Sequence, residues 1–115
     1  MRRVVAVAAD LIFGARIRGA AEQAGVHIDF ARSQEALQTL AAGADLLLLD
    51  LDARWVDPAS LIKMLREAPA TFNIPIVAFV SHVRTDAIAA ARAAGADKVL
   101  ARSAFVRDLS VLLKG

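Results

Sequence analysis

The sequence predicts a three-layer, doubly wound α/β domain: five βα units in succession, with a parallel sheet ordered 2-1-3-4-5 and helices on both faces. Three observations predict it. Leu46–Leu49 and Ile74–Val80 are apolar runs without a 3.6-residue rhythm, too short for helices, and read as strands buried on both faces. Segments of helical period separate every pair of strand candidates, and strands joined through helices need right-handed crossovers and so pair in parallel. Finally, Val4–Ala8 is also apolar throughout, whereas Val26–Phe30 alternates and Val99–Ala101 is short. Three central strands (first, third, fourth) and two edges (second, fifth) are what the order 2-1-3-4-5 requires.

After the first strand, Leu11–Ala24 places Phe13, Ile17, Ala20, Ala21 and Ala24 on one helical face, with Gly25 as the closing cap. Gly14 and Gly19 weaken that helix by about 1 kcal/mol each relative to alanine, so periodicity rather than propensity predicts it. Ser33 is an N-cap for a second helix that buries Ala36, Leu37 and Leu40 and stops at Gly43. Asp57-Pro58 starts the third, whose inner face is Leu61, Ile62 and Leu65 and whose end is marked by Pro69. Pro75 fits only the beginning of the fourth strand. Thr85 is expected to cap a short helix, Asp86–Ala94, closed by Gly95. Phe105, Leu109 and Leu112 mark the inner face of the last helix.

At 115 residues the chain reads as one domain, 1–115, large enough for a single core. A hydrophobic content of 57% with 23% charged residues excludes intrinsic disorder. No apolar run is long enough to span a bilayer, Met1-Arg2-Arg3-Val4 lacks a signal-peptide pattern, and no membrane contact is expected. The absence of cysteine excludes disulfides, thiolate catalysis and cysteine-ligated metal, and fits a cytoplasmic location. With a net charge of +2 and arginines scattered singly, no nucleic-acid footprint is indicated.

The chemistry-bearing position is Asp50, directly after the third strand. That is the carboxyl edge, where open α/β sheets bind ligands. Asp45-Leu46-Leu47-Leu48-Leu49-Asp50 resembles the third strand and phosphoacceptor aspartate of the receiver domains of two-component response regulators. Ile74–Ser81 resembles their fourth strand, Ala94-Gly95-Ala96-Asp97 the turn before the fifth, and Val99–Ser103 the strand that carries their lysine and proline. The resemblance covers essentially the whole chain and implies the CheY-like, flavodoxin-like fold.

It also implies a chemistry. In receivers an aspartate attacks a phosphoryl group, Mg²⁺ held by acidic residues after the first strand offsets the repulsion, and a hydroxyl and a lysine hold the phosphoryl oxygens. Counting back from Gly25 puts Ala8 and Ala9 at the acidic pair, with Asp10 one position late. Counting from Gly95 puts Val80 at the hydroxyl position with Ser81 beside it; Arg102 stands for the lysine, Ser103 for the proline and Val99 for the aromatic switch residue. Asp52 lies two residues past the phosphoacceptor. Asp50 alone keeps its place.

The expectation is therefore a pseudo-receiver. It is not an enzyme, has no cofactor or metal, and acts through phosphorylation-independent protein contacts. Asp50 then caps a loop or pairs with Arg102, which is expected to reach Asp50 or Asp52 and lower the aspartate pKa. The alternative is a receiver still phosphorylated at Asp50, with Asp10 and Asp52 holding Mg²⁺. Small-molecule binding is disfavoured, because the chain has neither a Ser/Thr-rich first loop for a flavin phosphate nor an Asp-x-His-x-x-Gly motif for a corrin. His27 and His82 read as solvated, and Trp55 as a partner anchor or a cover over its own loop. The resemblance points partners, or a second copy, to the face of the fourth helix, fifth strand and fifth helix. There Ala87, Ala90 and Ala93 are expected outward, Val106 and Leu113 at the margin, and Arg92, Arg107 and Asp108 as a charged rim.

Overall fold

The chain alternates strand and helix: β1 (Arg3–Val7), α1 (Leu11–Ala24), β2 (His27–Phe30), α2 (Gln34–Ala41), β3 (Leu46–Asp50), α3 (Pro58–Glu67), β4 (Ile76–Val80), α4 (Thr85–Ala94), β5 (Lys98–Ala101) and α5 (Arg102–Lys114). This is a computed structural model that describes residues 1–55, 57–81 and 84–115; His82 lies outside them. The five strands form one parallel sheet in the order β2-β1-β3-β4-β5. Every residue of β3 and β4 is buried, as the unbroken apolar runs predict, while β2 and β5 keep exposed positions at the edges.

The two faces follow from the period-2 alternation of strand side chains. Val5, Val7, Leu47, Leu49, Ile76, Ala78 and Val80 meet α2, α3 and α4 through Leu37, Leu61, Ile62, Leu65 and Ala91. Val4, Ala6, Leu46, Leu48, Val77 and Phe79 meet α1 and α5 through Phe13, Ile17, Ala21, Phe105, Leu109 and Leu113. In that second layer Phe79 stacks on Phe105 at 4.1 Å between centroids, and Phe13 lies 5.3 and 5.9 Å from the two rings. Offset aromatic contact of this kind adds about 1 kcal/mol per pair beyond the area buried.

Local signals placed most helix ends. The Ser33 hydroxyl accepts from the Ala36 N–H, and Gly25 closes α1 in the left-handed conformation. Asp57 precedes Pro58 as expected, but its carboxylate accepts from the Ser60 hydroxyl and makes no bond to the helix backbone. Several details differ from expectation: β4 begins at Ile76, so Pro75 just precedes it, β2 begins at His27 and β5 at Lys98, and Ala36 and Leu40 of α2 are only half-buried. β1 runs Arg3–Val7, one residue earlier, because Arg3 still pairs with His27. Thr85 is the first residue of α4 and Arg84 its cap. In α5 the fully buried leucine is Leu113, with Leu112 only half-buried, since Phe105, Leu109 and Leu113 form an unbroken i, i+4, i+8 row.

At the amino edge of the sheet, Arg66 near the end of α3 closes the turn ahead of β5. Its guanidinium donates to the carbonyls of Gly95 (3.0 and 2.9 Å), Phe72 (3.1 Å) and Ile74 (2.6 Å) and to the Asp97 carboxylate (2.9 Å). Asp97 also accepts from the Ile76 N–H at 2.7 Å. Gly95 suits its φ of +119°, which L side chains rarely adopt, and a Cβ there would press on the Arg66 side chain at 3.0 Å, so that side chain would have to give way.

Candidate functional site

Asp50 ends β3 at the carboxyl edge, opposite Phe79 of β4, and its side chain is fully buried. A carboxylate taken out of water needs several donors. Oδ2 accepts from the Ala9 N–H at 2.8 Å and from Arg102 Nη2 at 3.3 Å, and Oδ1 accepts from the Asp52 N–H at 2.9 Å. Asp52 continues the network outward. Its Oδ2 accepts from the Ser81 N–H (2.9 Å) and hydroxyl (2.6 Å), and its Oδ1 from Arg84 Nη1 (3.2 Å). Two carboxylates thus tie together the segments that follow β1, β3, β4 and β5.

Arg102 opens α5, and its guanidinium bridges Asp50 to Asp10, with Nη1 3.7 Å from Asp10 Oδ2. It also lies over the Phe13 ring, 4.2 Å from the centroid, where the weakly hydrated guanidinium meets the negative face of the ring. Arg102 Nε is buried and has no hydrogen-bond partner among the described residues. Asp10 is the N-cap of α1, its Oδ1 accepting from the Phe13 N–H at 2.7 Å.

The two central aspartates titrate in opposite directions. Burial raises the Asp50 pKa above the ordinary 3.8, reinforced by the Asp52 charge; the Ala9 and Asp52 N–H groups and the Arg102 charge offset this only in part. Burial also works against ionised Asp52, but the Ser81 hydroxyl and N–H and the Arg84 guanidinium outweigh it and hold the pKa below the ordinary value.

Arg102 therefore reaches Asp50 as expected, but its second carboxylate is Asp10 rather than Asp52, and the Asp50 pKa moves up where a fall was expected. The cause is complete burial, which a single arginine at 3.3 Å does not overcome. The two positions directly after β1 bring no carboxylate: Ala8 is half-buried, and Ala9, exposed, supplies its N–H. Val80 is packed into the core, and the neighbouring Ser81 hydroxyl is committed to Asp52. Among the described residues no three His, Cys, Asp or Glu side chains stand close enough to hold a metal ion. Sequence reasoning missed Arg84, the Ala9 amide and the Phe13 platform. Only the position of Asp10, just ahead of an apolar helix, offered a local signal, and it pointed to a cap.

On the expected partner face, Ala90 and Ala93 are exposed but Ala87 is half-buried, so the small-residue surface is narrower than the spacing suggests. Val106 is half-buried, Leu113 belongs to the core, and Arg107 is exposed with Nε 3.0 Å from Asp108. His27 is exposed and paired with Asp29 at 3.0 Å, and Trp55 is 40% exposed.

This architecture is that of response-regulator receiver domains. The chemotaxis response regulator CheY4 of Vibrio cholerae matches with a TM-score of 0.83 at 19% identity, over 99% of this chain and 97% of that one. The phosphorylated cyanobacterial phytochrome response regulator RcpA matches with a TM-score of 0.80 at 18% identity, over 99% and 89%. The Mn²⁺-bound form of the response regulator Rcp1 matches with a TM-score of 0.77 at 17% identity, over 100% and 91%. No family model and no curated protein matches the sequence.

Proposed function

We propose that this chain is a pseudo-receiver, a receiver fold that acts through protein contacts without phosphorylation. The observation that carries this reading is the Arg102 guanidinium bridging Asp50 and Asp10. In receiver chemistry a metal ion and a phosphoryl group would need those carboxylate oxygens free. Here both Asp50 oxygens are occupied, Ala8 and Ala9 bring no carboxylate, and Asp10 is engaged as a helix cap. This donor set does not suit Mg²⁺, which takes near-octahedral oxygen ligands and tolerates distortion poorly. RcpA in its phosphorylated form and Rcp1 in its Mn²⁺-bound form share the fold, and the difference proposed here lies in the side chains at its carboxyl edge.

The working surfaces of such a domain are its exterior faces. The α4–β5–α5 face, with Ala90 and Ala93 outward, is the one proposed for pairing with a second copy or another protein. Incubation with acetyl phosphate and millimolar Mg²⁺, followed by intact-mass measurement, tests the reading. No added phosphoryl group is expected, nor any Mg²⁺-dependent change in Trp55 fluorescence. A phosphoryl adduct lost in Asp50→Asn would overturn it and restore the phosphorylatable alternative.

A further inference from the structure

On the α2–α3 side of the domain, two amide donors converge on one sulfur. Met64 of α3 is half-buried and packs at the margin of the core layer that α2, α3 and α4 cover. Gln34 and Gln38, one turn apart on α2 and both exposed, direct their side-chain amides at Met64 Sδ, with Nε2 at 3.3 and 2.8 Å. Among the described residues these are the hydrogen bonds that join α2 to α3.

A thioether sulfur is a weak acceptor, so two N–H donors are poorly matched to the reduced side chain. A methionine that only fills a gap in a core needs apolar neighbours rather than amides. Both glutamines have water available to them, and each gives up part of that hydration for a poor acceptor. A sulfoxide reverses the match, because its S–O bond is strongly polarised and its oxygen takes two hydrogen bonds much as a carbonyl does. Met64 keeps part of its surface open to a small oxidant, and the exposed glutamine side chains are free to pivot with the added oxygen.

We infer that Met64 is an oxidation site whose sulfoxide oxygen is held by the Gln34 and Gln38 amides, so that a peroxide alters the α2–α3 surface without unfolding the domain. A hydroperoxide transfers its terminal oxygen to Sδ. The S–O bond forms as the O–O bond breaks, the terminal proton passes to the leaving oxygen, and water or an alcohol departs. Sulfur loses two electrons and the peroxide gains them. Oxidation of this kind turns a soft apolar side chain into a polar one and ordinarily disrupts the packing around it. Here the two donors are already in place for the product. The site involves neither Asp50 nor the α4–β5–α5 face, and it stands whether or not the chain is phosphorylated.

The test exposes the full chain to hydrogen peroxide and follows oxygen gained at Met1 and Met64 by peptide mass spectrometry. Met1, 91% exposed, is the internal standard, and Met64 should oxidise in the folded state but more slowly. Urea titration of the oxidised chain should give a midpoint equal to or above that of the reduced chain. Gln34→Glu combined with Gln38→Glu keeps the shape of both side chains and removes their N–H donors. In that variant the same oxidation should lower the midpoint, because the sulfoxide oxygen then faces two carboxylates. Met64→Leu leaves Met1 as the sole methionine and should show no shift on oxidation. Gln38→Glu alone repeats the comparison should the double variant fail to fold. The inference is overturned if Met64 stays unmodified after Met1 is fully converted, if its oxidation lowers the parent's midpoint, or if parent and glutamate variant shift alike.

Discussion

Arg66 and Arg102 close opposite edges of one sheet, and the contrast between them separates what holds this fold from what the fold presents. Arg66 directs its guanidinium at three backbone carbonyls and a carboxylate, with bonds of 2.6 to 3.1 Å. Its geometry is saturated, and the glycine beside it holds a left-handed backbone that side chains rarely adopt. Arg102 holds two carboxylates at 3.3 and 3.7 Å, leans on an aromatic ring and leaves Nε without a partner. A guanidinium that spends its donors on main-chain acceptors staples a turn. One that spends them on side chains at a loop edge balances charge.

Breaking the two arginines should cost unequal amounts. Arg66→Ala leaves the carbonyls of Gly95, Phe72 and Ile74 short of a donor, and a loss of about 2–4 kcal/mol is expected in urea titrations. Arg102→Ala leaves Asp50 buried without a countercharge but still bonded to two N–H groups, and the site is partly open to water; about 1–2 kcal/mol is expected. Equal losses, or a larger one for Arg102, would show that the carboxyl edge is the true staple.

Protonation sharpens the comparison within the carboxyl edge. Because the Asp50 pKa is raised, the native chain takes up that proton before the unfolded chain does. Ionised Asp50 therefore costs stability at neutral pH, and the cost is relieved as pH falls through the raised value towards 3.8. Asp52 is the reverse case. Its lowered pKa contributes stability that is complete above 3.8 and is lost as pH falls through the lowered value. Stability measured against pH should show Asp50→Asn without the gain in mild acid, and Asp52→Asn with a shallower loss below 3.8. Profiles parallel to the parent's would remove both assignments.

The smallest effect is expected on α4. Ala90 is exposed, so Ala90→Glu should change stability by no more than about 0.5 kcal/mol. If the α4–β5–α5 face pairs two copies, the same change should abolish a dimer seen by sedimentation. An undisturbed dimer would move the working surface elsewhere.

The sequence by itself determined the architecture. Apolar runs at Leu46–Leu49 and Ile74–Val80, helical periodicity between strands, and caps at Ser33, Gly25 and Gly95 are local signals, each read within a few residues. It also placed Asp50 at the carboxyl edge and Arg102 within reach, because strand order fixes which loops meet. Only the tertiary structure decided what those residues do to one another. The direction of the Asp50 pKa depends on complete burial, the attachment of Arg102 to Asp10 depends on the angle between α5 and α1, and the Asp52–Arg84 pair joins residues 32 apart in the chain. Desolvation and ion-pair geometry are sums over every atom nearby, whereas periodicity is a property of neighbours along the chain.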